Sequence, residues 1–510
     1  MKTLVTSTRI PTGQANGSYN ILLKSGFGVP RGFVVYAMPN SVQPNNFDST
    51  TTFPCISVGF GGSDTAGTGL TNACAWLSNQ EGADPTSTRA SFGNTVSVLS
   101  RNIDNSVSRQ WQMTGFGQDI IFGTYQSQGT QVEPLDVVFT VFGGDDFFCA
   151  VGQTALPAAI NTPVNVATTF QPDAILFSHA RPAQTTDGQI TFAATTRNVA
   201  TGGTTILATN ATMWRNQDAQ GSSVIQARNN TDSGTFNFAT NSSVRFQYMY
   251  SSGFSVTQSS ANSGNSIIFL AMKAGSGDTI PRFFTVQAGT AGTNVQGVVN
   301  FPCCHVLGAY SHNNFSNSTR TANEAFATVD SISFYTGNGF TPNLTAGIGT
   351  FTSSTSSTTI TGVGTSFLQQ LGAIDKIYNT NEQLVGIVSS ITSNTSLLLQ
   401  SNAAITATGS SFNFEKPTQF SLSYGIPPGD GNGNANVRGY FSDNAFFAFD
   451  AATLNIKFKG YLLDIGTYYY RISSRTTPYF MTQGLYAGTQ GGFFFAIRDE
   501  QFNVRRGYIS

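Results

Sequence analysis

The sequence contains the stretch Phe301-Pro302-Cys303-Cys304-His305-Val306-Leu307, in which a proline immediately precedes an apolar run. Two earlier stretches repeat this pattern, Val29-Pro30-Arg31-Gly32-Phe33-Val34-Val35-Tyr36 and Phe170-Gln171-Pro172-Asp173-Ala174-Ile175-Leu176-Phe177. Each is followed by a Gly-aromatic pair, which begins at Gly115, Gly253 and Gly460, and by a double phenylalanine, which begins at Phe147, Phe283 and Phe494. The spacings agree if residues 344–415 are set aside as an insertion. Landmarks that recur in the same order predict three copies of one domain.

Strand patterns dominate all three copies. Short runs rich in Val, Ile, Phe and Tyr alternate with Gly, Ser, Thr and Asn, which is typical of β-sandwiches and barrels. We therefore predict an all-β chain of three tandem antiparallel β-sandwich repeats, jelly-roll-like in character, with a small β-barrel inserted in the third. The predicted bounds are 1–152, 153–287, and 288–343 with 416–510 for the sandwiches, and 344–415 for the barrel.

Some of the predicted strands are apolar without interruption, such as Ile267-Ile268-Phe269-Leu270. Continuous apolar runs indicate strands that are covered on both faces, so the sandwiches should pack against each other or against a partner. The strands at Phe147-Phe148 and Phe283-Phe284 lie at domain boundaries and fit the domain on either side.

The composition excludes several classes of function. Only 10% of the 510 residues are charged, and the formal net charge is −1 without a cluster of Lys or Arg, so the electrostatic footprint of a nucleic-acid-binding protein is missing. No apolar run approaches the ~20 residues that span a bilayer. Residues 1–9 carry no apolar segment typical of a signal peptide, which predicts that the protein stays in the cytoplasm in which it is made. A neutral polar surface suits a protein that packs permanently against neighbours.

Two features resemble proteins of tailed-bacteriophage particles. The tandem Pro-apolar units look like the repeated β-sandwiches of virion structural proteins. The inserted block contains Gly364-Thr365-x-Phe367, Leu371-Gly372-x-x-Asp375-x-Ile377 and Ser389-x-Ile391-x-Ser393-x-x-Ser396-Leu397. With these motifs it is similar to a small β-module of phage tail and virion-surface proteins. It departs from the usual module at Ile374, where that module has Gly. The resemblance implies a non-enzymatic structural protein of the virion (tail, baseplate, fibre or head surface), which binds copies of itself and other virion proteins and needs no cofactor.

Three groups of residues are candidates for metal binding or catalysis, and each has a simpler interpretation. Asp430, Asn432 and Asn434 alternate as calcium ligands do, but no closing Glu follows, and a Gly-rich hairpin loop explains them as well. Asp145-Asp146 are neighbours, whereas a glycosidase holds two carboxylates across a cleft, so a turn is favoured. His305 and His312 with Cys303 or Cys304 offer zinc ligands, but packing is favoured over a metal site. The five cysteines are predicted to be reduced and buried.

An alternative function is host-glycan recognition, in which the protein acts as an adhesin. Exposed aromatic rings would stack on sugars, and the candidates are Trp76, Trp111, Trp214, Tyr468, Tyr469 and Tyr470.

The last apolar segment suggests a self-association surface. Phe493, Phe494 and Phe495 match the two earlier Phe-Phe strands, but no further sandwich follows them. A neighbouring subunit would cover this strand in a homo-oligomer, with Arg505 and Arg506 at the polar rim. The alternative is that the strand folds back onto its own sandwich.

Overall fold

The computed structural model describes residues 1–23, 26–39, 55–79, 88–101, 107–128, 133–156, 159–180, 187–197, 204, 206–217, 224–230, 235–239, 242–258, 266–275, 283–288, 296–298, 305–313, 330–338, 345–371, 376–381, 383–399, 401–415, 419–426, 438–442, 447–450, 455–458 and 489–497. Antiparallel strands make up almost all of these residues, and the helix of the described part is the four-residue α1 (Phe367–Gln370). The predicted all-β class is confirmed.

The chain divides into two compact units. One consists of Phe340–Thr418 with Asp443–Ala445, and the other of Met1–Gly339, Gln419–Ser442 and Phe446–Ser510. The larger unit holds the sandwich repeats, and the smaller unit, called the module below, holds the insertion.

The strands of the first repeat are β1 (Lys2–Ile10), β2 (Gly17–Ser18), β3 (Ile21–Leu22), β4 (Pro30–Pro39), β5 (Cys55–Ser63), β6 (Leu70–Asn79), β7 (Thr88–Gly93), β8 (Val98–Arg101), β9 (Val107–Gly117), β10 (Ile120–Ser127) and β11 (Leu135–Gly143). They form an inner sheet in the order β1-β11-β4-β5-β6-β7 and an outer sheet in the order β2-β10-β9-β8, with β3 also on β10.

The strands of the second repeat are β12 (Phe147–Ala155), β13 (Val164–Ala167), β14 (Ala174–Ala180), β15 (Asp187–Arg197), β16 (Ile206–Gln217), β17 (Val224–Asn230), β18 (Thr235–Ala239), β19 (Ser242–Tyr250), β20 (Gly253–Gln258) and β21 (Ser266–Ala274). The inner sheet has the order β12-β21-β14-β15-β16-β17, and the outer sheet has the order β13-β20-β19-β18.

The strands of the third repeat are β22 (Phe283–Ala288), β23 (Gln296–Val298), β24 (His305–Asn313), β25 (Asp330–Asn338), β34 (Gln419–Ile426), β35 (Arg438–Ser442), β36 (Phe447–Asp450), β37 (Asn455–Phe458) and β38 (Thr489–Ile497). Here the inner sheet is β22-β38-β24-β25-β34-β35 and the outer sheet is β23-β37-β36. The same inner order therefore occurs three times: the last strand of each repeat (β11, β21 or β38) lies between the first strand and the next inner strand (β4, β14 or β24).

This topology assigns the double phenylalanines. Phe147 opens β12, which pairs with β21 of the second repeat, and Phe283 opens β22 of the third repeat. These two pairs therefore lie in the first strand of a repeat, whereas Phe494 lies in the last strand of the third repeat. The three pairs are therefore not at equivalent positions. The three repeats that they helped to predict nevertheless share one strand order.

The inner sheets are buried on both faces. On β4, Val34, Tyr36 and Met38 face a core that all three inner sheets share, whereas Phe33, Val35 and Ala37 face the core of the first sandwich. On β21, Ile268, Leu270 and Met272 face the shared core and Ile267, Phe269 and Ala271 face the second sandwich. The continuous apolar runs are explained by this double burial.

The contacts between the repeats are cyclic. Strands β6 and β7 of the first repeat lie against β14 and β15 of the second, β16 and β17 lie against β24 and β25 of the third, and β34 and β35 lie against β4 and β5 of the first. Such head-to-tail contacts, when they close, generate a ring, here within one chain.

The three repeats meet at three aromatic rings. The centroids of Tyr36, Phe192 and Phe334 are 5.7 Å (Tyr36 to Phe192), 5.4 Å (Tyr36 to Phe334) and 5.9 Å (Phe192 to Phe334) apart. Their cross-strand neighbours are smaller: Tyr36 is opposite Val58, Phe192 is opposite Ser178, and Phe334 is opposite Ala309. Each repeat thus supplies one ring and one smaller residue, which fills the centre without overpacking.

The strands of the module are β26 (Thr345–Ala346), β27 (Thr350–Ser353), β28 (Thr359–Val363), β29 (Lys376–Asn379), β30 (Leu384–Ser393), β31 (Ser396–Leu399), β32 (Ala407–Ser410) and β33 (Phe412–Glu415). Their order is β26-β33-β29-β30-β31-β28-β27-β32. Strand β30 pairs with β29 near its start and with β31 near its end, and β32 leads directly into β33. The sheet therefore closes around its own apolar core, which includes Phe351, Ile360, Leu397 and Phe412.

Among the described residues the module has eight strands, and two of them could not be recognised from the sequence. Strands β26 and β32 are short and consist of Thr, Ala, Gly and Ser, so they lack the apolar alternation by which a strand is recognised. Strand β28 ends at Val363, because Gly364 adopts a positive φ of 66° before the helix begins.

Candidate functional site

The last strand that the structure describes lies within its own inner sheet. Strand β38 lies between β22 and β24 and pairs with both. Phe493 and Phe495 are buried in the shared core together with Ile497. Of the two alternatives for this strand, the structure shows the second: it folds back into its own sandwich, where β22 and β24 hold it on both sides. Phe494 lies in the same strand, and Arg505 and Arg506 lie outside the described residues.

The candidate metal and catalytic residues are not brought together in the part of the chain that the structure describes. Asp430, Asn432, Asn434, Cys303 and Cys304 lie outside the described residues. Within them, no group of three or more His, Cys, Asp or Glu is placed to hold a metal ion. Asp145 and Asp146 form the turn between β11 and β12, as predicted, and Asp146 accepts a hydrogen bond from the Met1 ammonium group.

Three of the cysteines are buried and reduced, as predicted: Cys55, Cys74 and Cys149. Cys149 lies between the first and second repeats, where its thiol donates to the Arg31 carbonyl oxygen at 2.9 Å. Burial raises the pKa of this thiol to about 12, so it stays protonated and unreactive at neutral pH.

Two of the tryptophans proposed for sugar stacking are buried. Trp76 and Trp111 are each 1% exposed, and the indole of Trp111 donates to the Tyr19 carbonyl oxygen at 2.8 Å. These two rings are part of the sandwich interior and are closed to a ligand. Trp214 lies in β16, and Tyr468, Tyr469 and Tyr470 lie outside the described residues.

The outer sheets place other aromatic rings at the surface. Strand β9 carries an extra residue, Thr114, and the equivalent strand β19 carries an extra residue, Gln247. A β-bulge of this kind reverses the alternation of side chains beyond it. In β19, Phe246 and Met249 both face the core although they are three residues apart, and Tyr248 and Tyr250 therefore face outward.

In the first repeat the outward positions after the bulge are Gly115 and Gly117. Phe122 of β10 lies over both glycines, because a Cβ at Gly117 would be 2.8 Å from its ring. Phe122 is 41% exposed, and Leu22, opposite Ile120 on the neighbouring strand, is 73% exposed. An aromatic ring that covers glycines on a neighbouring strand stabilises a sheet edge, and the result here is an entirely apolar surface.

In the second repeat the aromatic and the small residues change strands: the aromatic rings lie on β19 and the small residues on β20. Tyr248 and Tyr250 occupy the positions of Gly115 and Gly117, and they lie opposite Ser255 and Gly253. The Tyr250 hydroxyl donates to the Val166 carbonyl oxygen at 3.1 Å, so its ring crosses Gly253, whose Cβ would lie 2.8 Å from the ring. Burial, and next the neighbouring Tyr248, raise the pKa of Tyr250. The two ring centroids are 6.1 Å apart and the ring planes are inclined at 56°.

A carboxylate fixes the loop beside the surface of the first repeat. Asp119 has a positive φ of 56° and accepts hydrogen bonds from the amides of Gly28 at 2.7 Å and Gly26 at 2.9 Å. These two bonds lower the pKa of Asp119, whose side chain is open to solvent. The role of Asp119 is thus to hold this loop, because its two carboxylate oxygens accept hydrogen bonds from the backbone and from the neighbouring Gln118.

The tyrosine pair was missed in the sequence because the bulge hides it. Strict alternation from Val244 would direct Tyr248 and Tyr250 into the core with Phe246. A signal was present, since Val244, Phe246 and Met249 do not share one period-two face and a break between them is required. Comparison of the chain with models of known families, with curated proteins and with solved structures gives no match. In the described part of the chain, no helix has the length and apolar character needed to cross a membrane.

Proposed function

We propose that the chain is a non-enzymatic structural component of a bacteriophage virion, at the tail, the baseplate, a fibre or the head surface. The observation that supports this proposal is the cyclic packing of three sandwiches on one shared core. Because each inner sheet is buried on both faces, no repeat can move without exposing apolar surface, and the repeats form a stiff scaffold.

The partners in this proposal are other virion proteins and further copies of the chain. The surfaces available to them are the outer sheets, since the last strand is taken up by its own sheet. The apolar patch of Leu22, Ile120 and Phe122 is suited to protein contact, because large exposed apolar side chains mark interfaces. The proposed location is the virion, and the role requires no cofactor.

Mass spectrometry of gradient-purified phage particles, together with cryo-electron microscopy, tests the proposal. The expected result is a fixed number of copies per particle at a defined symmetric position. Absence of the chain from purified particles, while it is abundant in the infected lysate, would overturn the proposal.

A further inference from the structure

The outer face of the second repeat combines a rigid aromatic surface with a cation. Beyond the bulge at Gln247, Tyr248 is 38% exposed and Tyr250 is partly exposed. Both rings stand on the outward face, while the neighbouring Phe246 and Met249 fill the sandwich core. The bulge therefore withdraws two aromatic side chains from burial and presents them to solvent, which is a usual role of bulges at binding sites.

The tip of Tyr250 is held in place. Its hydroxyl bonds to Val166 across the strand that contains Gly253, and the hydroxyl end of the ring lies over that glycine. The side chain is partly exposed. Tyr248 stands beside it at 56°, so the pair forms an angled surface whose geometry is set before a ligand arrives. A preorganised surface loses little entropy on binding.

Polar groups lie on the same face. Arg245 is exposed, is opposite Thr257, and makes no ion pair with any residue that the structure describes. Ser255, opposite Tyr248, is fully buried, and its hydroxyl has no hydrogen-bond partner among the described residues. Thr257 and Ser255 are two residues apart on β20, so the row of Arg245 lies about 7 Å from the row of Tyr248. Asn165 continues the Tyr248 row on β13 and is exposed.

We propose that this face binds an oligosaccharide that contains a carboxylate-bearing sugar. The apolar face of one pyranose ring stacks on Tyr248, with Tyr250 beside it, and the carboxylate of a neighbouring sugar is bound by Arg245. Guanidinium groups bind carboxylates through paired hydrogen bonds, and tyrosine offers a flat apolar body with a polar tip. This site is additional to the structural role and does not depend on it.

Comparison with the first repeat indicates that the two tyrosines do more than cover the sheet. There, Phe122 covers the equivalent positions without a hydroxyl and is surrounded by Leu22 and Ile120. Packing alone is thus achieved with Phe and aliphatic neighbours. The second repeat uses two tyrosines and places Arg245 and Asn165 around them. Phe122 therefore provides a matched control for the packing role.

The test uses the full-length chain on an array of neutral, uronic-acid and sialic-acid glycans, followed by calorimetric titration of the strongest binder. We expect a carboxylate-bearing glycan to bind. Tyr248→Ala and Arg245→Gln are each expected to weaken its binding about tenfold or more, whereas Phe122→Ala leaves it unchanged. Circular dichroism of each variant shows whether the fold is kept, and the exposed substitution Arg245→Gln decides the outcome if Tyr248→Ala does not fold.

Three results would overturn the proposal. One is that no carboxylate-bearing glycan binds to the wild-type chain in a saturable way. Another is that Tyr248→Ala binds as tightly as Phe122→Ala. The third is that neutral glycans bind equally well and Arg245→Gln changes nothing. None of these results bears on whether the chain is a virion component, which the particle analysis decides separately.

Discussion

The inner sheets of the three repeats and the module bury their strands in different ways. Strand β4 divides its apolar side chains between two cores, one shared with the other repeats and one within its own sandwich. In the module, β31 buries Leu397 and Leu399 on one face and exposes Leu398 on the other. The sandwiches are therefore coupled through a core that none of them completes alone, whereas the module completes its own core.

The connections between inner strands show the same contrast. In the first repeat, β5 and β6 are joined by a short turn in which Asp64 accepts hydrogen bonds from the amide and the hydroxyl of Thr68. In the third repeat, the equivalent strands β25 and β34 are separated in sequence by the whole module. The cost of closing a loop grows only slowly with its length, so this connection tolerates an insertion that folds by itself. A domain can therefore be inserted in a connection between two inner strands without any change in the residues of the shared core.

The largest expected effect comes from the meeting point of the three repeats. Phe192 is fully buried and contacts both Tyr36 and Phe334. We expect Phe192→Ala to destabilise the chain by about 3–5 kcal/mol, because it removes a buried ring and leaves a cavity where three sheets meet. Urea denaturation, with hydrogen exchange followed on peptides from each repeat, measures both the size of the loss and whether all three repeats open together.

The control for this experiment is Phe122→Ala, since Phe122 is partly exposed and lies in one repeat. Its expected cost is no more than about 1 kcal/mol. Equal costs for the two substitutions, or loss of exchange protection in the second repeat alone, would contradict the idea of a shared core.

Much of the scaffold could be predicted from the sequence. Pro30 opens β4, and Pro172 lies two residues before the start of β14, so the proline before an apolar run did mark equivalent strands. The run Ile267-Ile268-Phe269-Leu270 indicated burial on both faces of its strand, because the alternation of apolar and polar residues disappears when both faces are buried.

Two features were not predicted correctly from the sequence, the position of the double phenylalanines within each repeat and the outward-facing tyrosines, and the physical cause is the same. Phe283 and Phe495 stack with centroids 5.5 Å apart, one in the first strand and one in the last strand of the same sheet. Both positions face the shared core, so both select phenylalanine, and composition alone cannot tell the two strands apart. The bulge at Gln247 likewise changes which residues face outward without changing which residues are present. Pairing and register, unlike strand content, depend on contacts distant in sequence.

The second-largest loss of stability is expected for a substitution in the core of the module. Leu397 is fully buried in the core of the module, and its neighbour Leu398 is 37% exposed. Leu397→Ala is expected to cost about 2–4 kcal/mol and Leu398→Ala less than about 1 kcal/mol. Because the module has its own core, differential scanning calorimetry should show two transitions, of which Leu397→Ala lowers only one. A single transition that shifts as a whole would mean that the module and the sandwiches unfold together.

A smaller effect is expected where the first and second repeats meet. A Cβ on Gly62 would lie 2.8 Å from the Cys149 sulfur and 3.2 Å from Val151. Gly62→Ala should therefore cost about 1–3 kcal/mol through overpacking. Part of this loss should return in the double variant Gly62→Ala with Cys149→Ala, as measured by a double-mutant cycle in urea. Gly93→Ala, whose Cβ would lie 4.0 Å from its nearest neighbour, is the control. Strict additivity of the Gly62 and Cys149 changes would show that this contact is not the source of the strain.

The smallest effect concerns pH and stays within one loop of the first repeat. Hydrogen bonds from the Gly28 and Gly26 amides hold the pKa of Asp119 below its usual range. A carboxyl group whose pKa is lower in the folded chain stabilises the fold at pH values above its unfolded pKa of about 4, and this contribution disappears as the pH falls through the folded pKa. The difference in thermal midpoint between the wild-type chain and Asp119→Asn should consequently be constant above about pH 5 and shrink towards zero below pH 4. Asp145→Asn, an exposed turn position, is the matched control. If the difference is the same at every pH, the two amide bonds hold the loop equally well without the negative charge, and the loop is fastened by geometry alone.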